Sequence, residues 1–139
     1  MDTIKEMLQL KTWAVVGATN NTEKFGYKIF KVMVESDIEV YPVNTGVTEI
    51  LGKKCYPKLA DLPSKPDAVN IVVPPKVGEM ILRECAELGI KNVWLQPGAD
   101  VPQVVQLAEE LGLSVVHHAC IMVELRKGGQ SNGKCNSCD

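Results

Sequence analysis

Five short apolar runs recur along the chain: Trp13 to Gly17 ("WAVVG"), Ile38 to Val43 ("IEVYPV"), Ala68 to Val73 ("AVNIVV"), Asn92 to Gln96 ("NVWLQ") and Leu113 to His117 ("LSVVH"). Each is nearly continuous rather than alternating and rich in β-branched residues, as parallel strands covered on both faces require. The segments between them change period. From Gln103 to Leu111, Val104, Leu107, Ala108 and Leu111 stand at i, i+3, i+4 and i+7, and Val77, Ile81, Cys85 and Leu88 trace a similar stripe from Lys76 to Leu88. That spacing gathers them on one helical face. Both helices finish alike, in "AELGI" and "EELGL", with Gly89 and Gly112 where a left-handed residue after the helix is wanted. Asp100 and Gln103 are spaced as a capping box for the later helix, and Pro75 suits a first helical turn, where its missing N–H has no intrahelical partner.

Strands alternating with helices of this length predict an α/β fold: a doubly wound parallel sheet of about five strands joined by right-handed crossovers, three layers deep. One connection breaks the rhythm. Asn44 to Asp67 holds three prolines and two glycines and has no long apolar face, so a short strand and a helical turn are expected there. From Lys127 onward no large apolar residue remains, which predicts one domain over 1–126 and a flexible tail over 127–139.

Composition narrows the field by exclusion. At 139 residues with 45% hydrophobic and 23% charged residues, the chain fits one globular domain. A formal charge of -2 gives no whole-molecule attraction to nucleic acid or to an anionic membrane. The N-terminal stretch mixes charges among its apolar residues, and no run reaches membrane-spanning length, so a cytoplasmic protein is expected. The five cysteines are an odd number, scattered through a chain with ample apolar core, and do not form a disulfide framework. Cys135 and Cys138 make half a zinc site without a partner pair of ligand spacing, so exposed free thiols are expected and no metal is assigned.

The candidate chemistry lies in the first strand-helix corner, "GATNNTEKFGY". Ligands of open parallel sheets sit beyond the carboxyl ends of the strands, where helix N-termini offer unpaired amides. Here the dinucleotide fingerprint is missing: after Gly17 the next glycine is Gly26, and the second strand ends in Asn44 rather than an acid. The phosphate-loop pattern is missing too. What survives is Gly17 for close backbone approach, hydrogen-bonding groups on Thr19, Asn20, Asn21 and Thr22, and the charge of Lys24. An ordinary polar loop is the competing reading.

Four pieces in order, "VVGATNNTEKFGYKIFKVM", "VYPVNTG...ILGKKCYPKLADLP", "DAVNIVVPPKVG" and "WLQPGAD" followed by "GLSVVHHACIMVE", carry a resemblance. The chain resembles the small stand-alone CoA-binding domain proteins, which are similar to the N-terminal CoA-binding domain of the succinyl-CoA synthetase alpha subunit. The likeness runs from about Ile4 to Glu124. It implies a Rossmann-like fold and a coenzyme A cofactor, with the nucleotide end near the first glycine corner. By position it implies that Gly17, Ala18, Thr19, Asn20, Lys24, Gly26 and Tyr27 surround the CoA phosphates. Asn44 and Thr45 match the turn after the second strand, where the family often has a lysine; Lys53 or Lys54 would have to substitute. Val73 and Pro74 match the third-strand turn, Gln96 and Pro97 the end of the fourth strand, and Cys120 a cysteine after the fifth.

The synthetase's phosphorylated histidine belongs to a later domain with no counterpart here, so no catalytic residue and no ligase chemistry follow from the resemblance. Sheet-end residues of the Gly, Asn, Thr, Pro and Gln types suit binding rather than proton transfer. The expectation is a CoA- or acyl-CoA-binding module, with a homodimer or a protein partner left open. The alternatives are an enzyme acting on CoA thioesters through Cys120 and His118, and a Rossmann-like protein binding NADP. The resemblance also implies that Cys120 lies close enough to the CoA thiol for a mixed disulfide.

Overall fold

The computed structural model describes residues 3–36, 38–117 and 119–129. A short helix α1 (Thr3–Leu8) leads into strand β1 (Thr12–Val16), helix α2 (Phe25–Glu35) and strand β2 (Glu39–Val43). The irregular connection then carries two dipeptide strands, β3 (Glu49–Ile50) and β4 (Lys53–Lys54), and one 3-10 turn, Leu59–Asp61. Regular alternation resumes with β5 (Ala68–Ile71), α3 (Pro75–Leu88), β6 (Asn92–Leu95), α4 (Pro102–Glu110), β7 (Ser114–Val116) and α5 (Ile121–Gly129).

The main sheet is five-stranded in the order β2-β1-β5-β6-β7, and all its pairings are parallel. This is a Rossmann-like α/β fold. The chain runs outward from β1 to one edge and then returns to the other side, so the order reverses between β1 and β5. At that point the strand ends part, and the connections leaving them go to opposite faces of the sheet.

Each face buries its own apolar layer. On one side Trp13, Val15, Ala68 and Trp94 meet Ile29, Phe30 and Met33 of α2 and Ile121 of α5. On the other, Ala14, Val16, Val69, Ile71, Val93 and Leu95 meet Leu82 and Cys85 of α3 and Val104 and Ala108 of α4. The alternation of neighbours along each strand explains why the sequence reads as unbroken apolar runs. The two tryptophans pack edge to face at 6.2 Å, and Trp94 Nε1 donates to the Ala119 carbonyl at 2.9 Å, anchoring the entry to α5.

The predicted stops hold: Gly89 ends α3 with φ 80° and Gly112 follows α4 with φ 78°. Two local expectations change. Asp100 does not cap α4: the cap position is Val101, and the Asp100 carboxylate accepts from the Gly98 N–H at 3.2 Å. Pro102 at the first helical position sets the start instead, with φ already fixed for a helix. The last helix runs past Lys127 to Gly129, because backbone hydrogen bonding does not stop where the apolar pattern does. The rest of the predicted tail, with Cys135 and Cys138, lies outside the described residues, as does His118. Among the described residues no helix is long and apolar enough to cross a membrane, and no group of His, Cys, Asp or Glu could hold a metal.

Candidate ligand-binding cleft

A cavity of about 650 Å³ opens at the switch between β1 and β5, within the usual range for small-molecule sites. Its floor is the Gly17 turn. Gly17 donates to the Val43 carbonyl at 3.0 Å and has φ +104°, a conformation open to glycine. A Cβ there would meet Val73 Cγ1 at 3.0 Å and the Val72 carbonyl group at 3.2 Å. The turn after β5 therefore lies directly against the turn after β1.

Gly26 answers the absent glycine spacing. Its Cβ would overlap the Gly17 carbonyl oxygen and lie 3.1 Å from the Gly17 carbonyl carbon. Helix α2 thus docks with its first turn touching the strand end. In a dinucleotide site a nearby third glycine makes this approach; here a residue nine positions after Gly17 makes it, once the longer loop has returned.

That loop is held by its own side chains. Asn21 N–H donates to Thr19 Oγ1 at 3.2 Å, Glu23 N–H donates to Asn21 Oδ1 at 3.0 Å, and Asn20 Nδ2 donates to the Glu49 carbonyl at 3.0 Å. Lys24 then occupies the cap position of α2 without making a side-chain cap. Tyr27 N–H folds back onto the Lys24 carbonyl at 3.1 Å, so the Phe25 and Gly26 amides are the ones left to whatever enters the cleft, which Lys24 also lines. Pro74 caps α3 from the adjoining wall, also without a side-chain bond, and Cys120 opens α5, its carbonyl accepting from Val123 and Glu124. Three helix N-termini converging on one cleft favour an anion.

Of the predicted residues, Gly17, Thr19, Lys24, Gly26, Asn44, Val73, Pro74, Gln96, Pro97 and Cys120 line this cavity. Four do not. Ala18 is fully buried in the layer under α2, and Asn20 turns away to β3. Tyr27 has moved one helical step off the cleft, and Thr45 is exposed beyond it. Neither Lys53 nor Lys54 is among the lining residues; Lys54 Nζ lies 5.2 Å from the ring centre of Tyr56.

Two lining residues are tied into the scaffold. Asn44 Nδ2 donates to the Ala18 carbonyl at 2.7 Å while its Oδ1 accepts from Gly46 N–H at 2.8 Å, clamping the two turns together. A carboxylate could not donate to Ala18, so the missing acid has a structural reason. Gln96, 4% exposed, accepts from Ile121 N–H at 2.9 Å and directs Nε2 at Cys120 Sγ, 3.5 Å away.

Asn21, named among the hydrogen-bonding groups of the corner, also lines the cavity, whereas sequence reasoning missed Phe25, Val72, Gly98 and Ala99. Phe25 was the findable one. The buried residues of α2 are Gly26, Ile29, Phe30 and Met33, and Phe25, one position before them at the start of the helix, stays at their edge.

An open parallel sheet with an anion-favouring cleft at its switch point is a Rossmann-like domain of the kind that takes nucleotides beyond its strand ends. The chain belongs to the CoA-binding domain family, whose model matches residues 11–126. It is 32% identical over 119 residues to the alpha subunit of acetate–CoA ligase (ADP-forming) II from Pyrococcus furiosus, covering 78% of this chain and 26% of that subunit. It is 30% identical to the YneT protein of Bacillus subtilis, with 86% and 90% of the two chains covered. Among solved structures, a hypothetical protein from Pyrococcus horikoshii OT3 superposes with a TM-score of 0.85 at 33% identity, over 91% of this chain and 92% of that one. The chain spans about a quarter of the length of the ligase subunit it matches.

Proposed function

We propose that this domain binds coenzyme A or a CoA thioester, with the pyrophosphate at the first turn of α2 and the pantetheine arm running toward Gln96, Pro97 and Cys120. One observation carries the reading: the uncapped start of α2, with Lys24 beside it, faces a cleft floored by the Gly17 backbone. Amides aimed at an open cleft suit a phosphate group. The Asn44 clamp disfavours NAD, whose ribose is usually read by an acid at this strand end. The role proposed is binding, with no catalytic group assigned among the described residues. The acetate–CoA ligase activity of the relatives belongs to a chain of which this one covers 26%, and it is not carried over.

Thermal-shift titration with CoA, acetyl-CoA, NAD and NADP side by side tests this. A ligand that binds only the folded state raises its stability, by about 2.7 kcal/mol at a hundred times Kd. CoA or acetyl-CoA is expected to raise Tm with concentration and the pyridine nucleotides are not. Lys24→Ala is expected to weaken CoA about tenfold, the scale of one hydrogen bond to a charged group. A shift with NADP and none with CoA would overturn the reading.

A further inference from the structure

The two phenylalanines of the chain have opposite fates. Phe30 is fully buried under the sheet, whereas Phe25 is 62% exposed. Leaving a ring of that size in water forfeits a substantial hydrophobic gain. Among the described residues the other large exposed apolar side chains are Leu51, Val77, Met80 and Val123, and none of them lines the cleft; Phe25 does. It is the first residue of α2, next to Lys24 and the uncapped amides. Lys28 Nζ lies over its ring at 5.8 Å from the centroid, near enough for a cation-π contact that restricts the ring. The remaining ring surface is open at the mouth of a cavity with an anion-favouring inner end.

We propose that Phe25 is the platform on which the adenine of the ligand stacks, with Lys28 holding the ring in place. The proposal rests on the CoA reading above and adds the part of the ligand that Phe25 recognises. In a nucleotide whose phosphates meet the first turn of α2, the nucleoside is the neighbouring group. A purine offers a flat π-face that an exposed phenylalanine can cover without any hydrogen-bond partner. Because the ring lies outside the buried stripe of α2, its replacement leaves both apolar layers intact.

The test compares wild type with Phe25→Ala, Phe25→Leu and Phe25→Trp by calorimetric titration of CoA, adenosine 3′,5′-bisphosphate and 4′-phosphopantetheine. Stacking on an aromatic side chain is worth roughly fivefold to a hundredfold in affinity. Phe25→Ala is expected to weaken CoA and adenosine bisphosphate by the same factor within that range and to leave phosphopantetheine unchanged. Phe25→Trp should retain affinity, and Phe25→Leu should not restore it. The ultraviolet absorbance of adenine should fall on binding to wild type and not to Phe25→Ala. Equal CoA affinity in wild type and Phe25→Ala would overturn this proposal and leave the CoA reading standing, as would an equal loss on phosphopantetheine. Failure of wild type to bind CoA would overturn both.

Discussion

At the residue scale, the described cysteines divide by environment. Burial pushes the Cys85 thiol up to about 12, with the Glu84 charge adding to the effect, and burial also raises Cys55. Cys120 is half-buried at the cleft wall. Alkylation at neutral pH followed by peptide mapping should therefore label Cys120 well before Cys85, since the thiolate is the reacting form. Bound CoA should protect Cys120. CoA disulfide should in turn leave a reductant-sensitive CoA adduct on Cys120: its thiolate attacks one sulfur and the other half departs as CoA thiolate. Early labelling of Cys85 would contradict the assignment. The sign of the pH effect follows from the same burial. The folded state holds the Cys85 proton more tightly than the unfolded chain, so this stability is complete below the ordinary value of 9.0 and is lost as pH rises toward about 12. The decline should be shallower in Cys85→Ala than in the parent.

At the scale of elements, the decisive contact is the seating of α2 on β1. Ordinarily, Gly→Ala within a helix gains up to about 1 kcal/mol from propensity. At Gly26 the added methyl meets the Gly17 carbonyl, a backbone group that cannot swing aside, and overpacking costs about 1–3 kcal/mol. The clash should win. Gly26→Ala is expected to lower the urea midpoint, and a raised midpoint would show that α2 can slide without loss. CoA affinity in this variant reports the loop geometry together with stability, so Lys24→Ala is the cleaner probe of phosphate binding. The helix stops were legible because a C-terminal glycine is a local device. The start of α4 was misread because Asp100 had two local uses, as a cap or as an acceptor in the preceding turn, and the turn took it.

At the scale of the whole molecule, the sheet has one polar intruder. Asn70 sits in the central strand β5, fully buried between Val15 of β1 and Trp94 of β6, and faces Met33 of α2. Its Nδ2 reaches only the Met33 sulfur at 3.8 Å, and its Oδ1 has no hydrogen-bond partner. An unpaired buried carbonyl costs about 1–3 kcal/mol, whereas an apolar side chain of similar shape carries no such penalty. Asn70→Leu should thus hold or raise Tm by a few degrees while CoA affinity stays unchanged. A fall in affinity at constant stability would reveal a link between the buried layer and the cleft.

The sequence by itself determined the strands, the principal helices, their C-terminal stops and the parallel sheet. Periodicity and composition report whether a position faces solvent or core, and that is a nearest-neighbour property. It also located the corner and most of the residues that line the cleft, because strand ends are where parallel sheets open. Only the tertiary structure decided what those residues are for. Asn44 is committed to the Ala18 carbonyl, 26 positions away in sequence, and Gln96 to the amide of Ile121, 25 positions away. Gly26 is required by a carbonyl that the loop brings back to it, and Phe25 is left exposed in the cleft lining, outside the buried set of α2. These are contacts between segments distant along the chain, fixed by how the layers pack and carried by no local pattern.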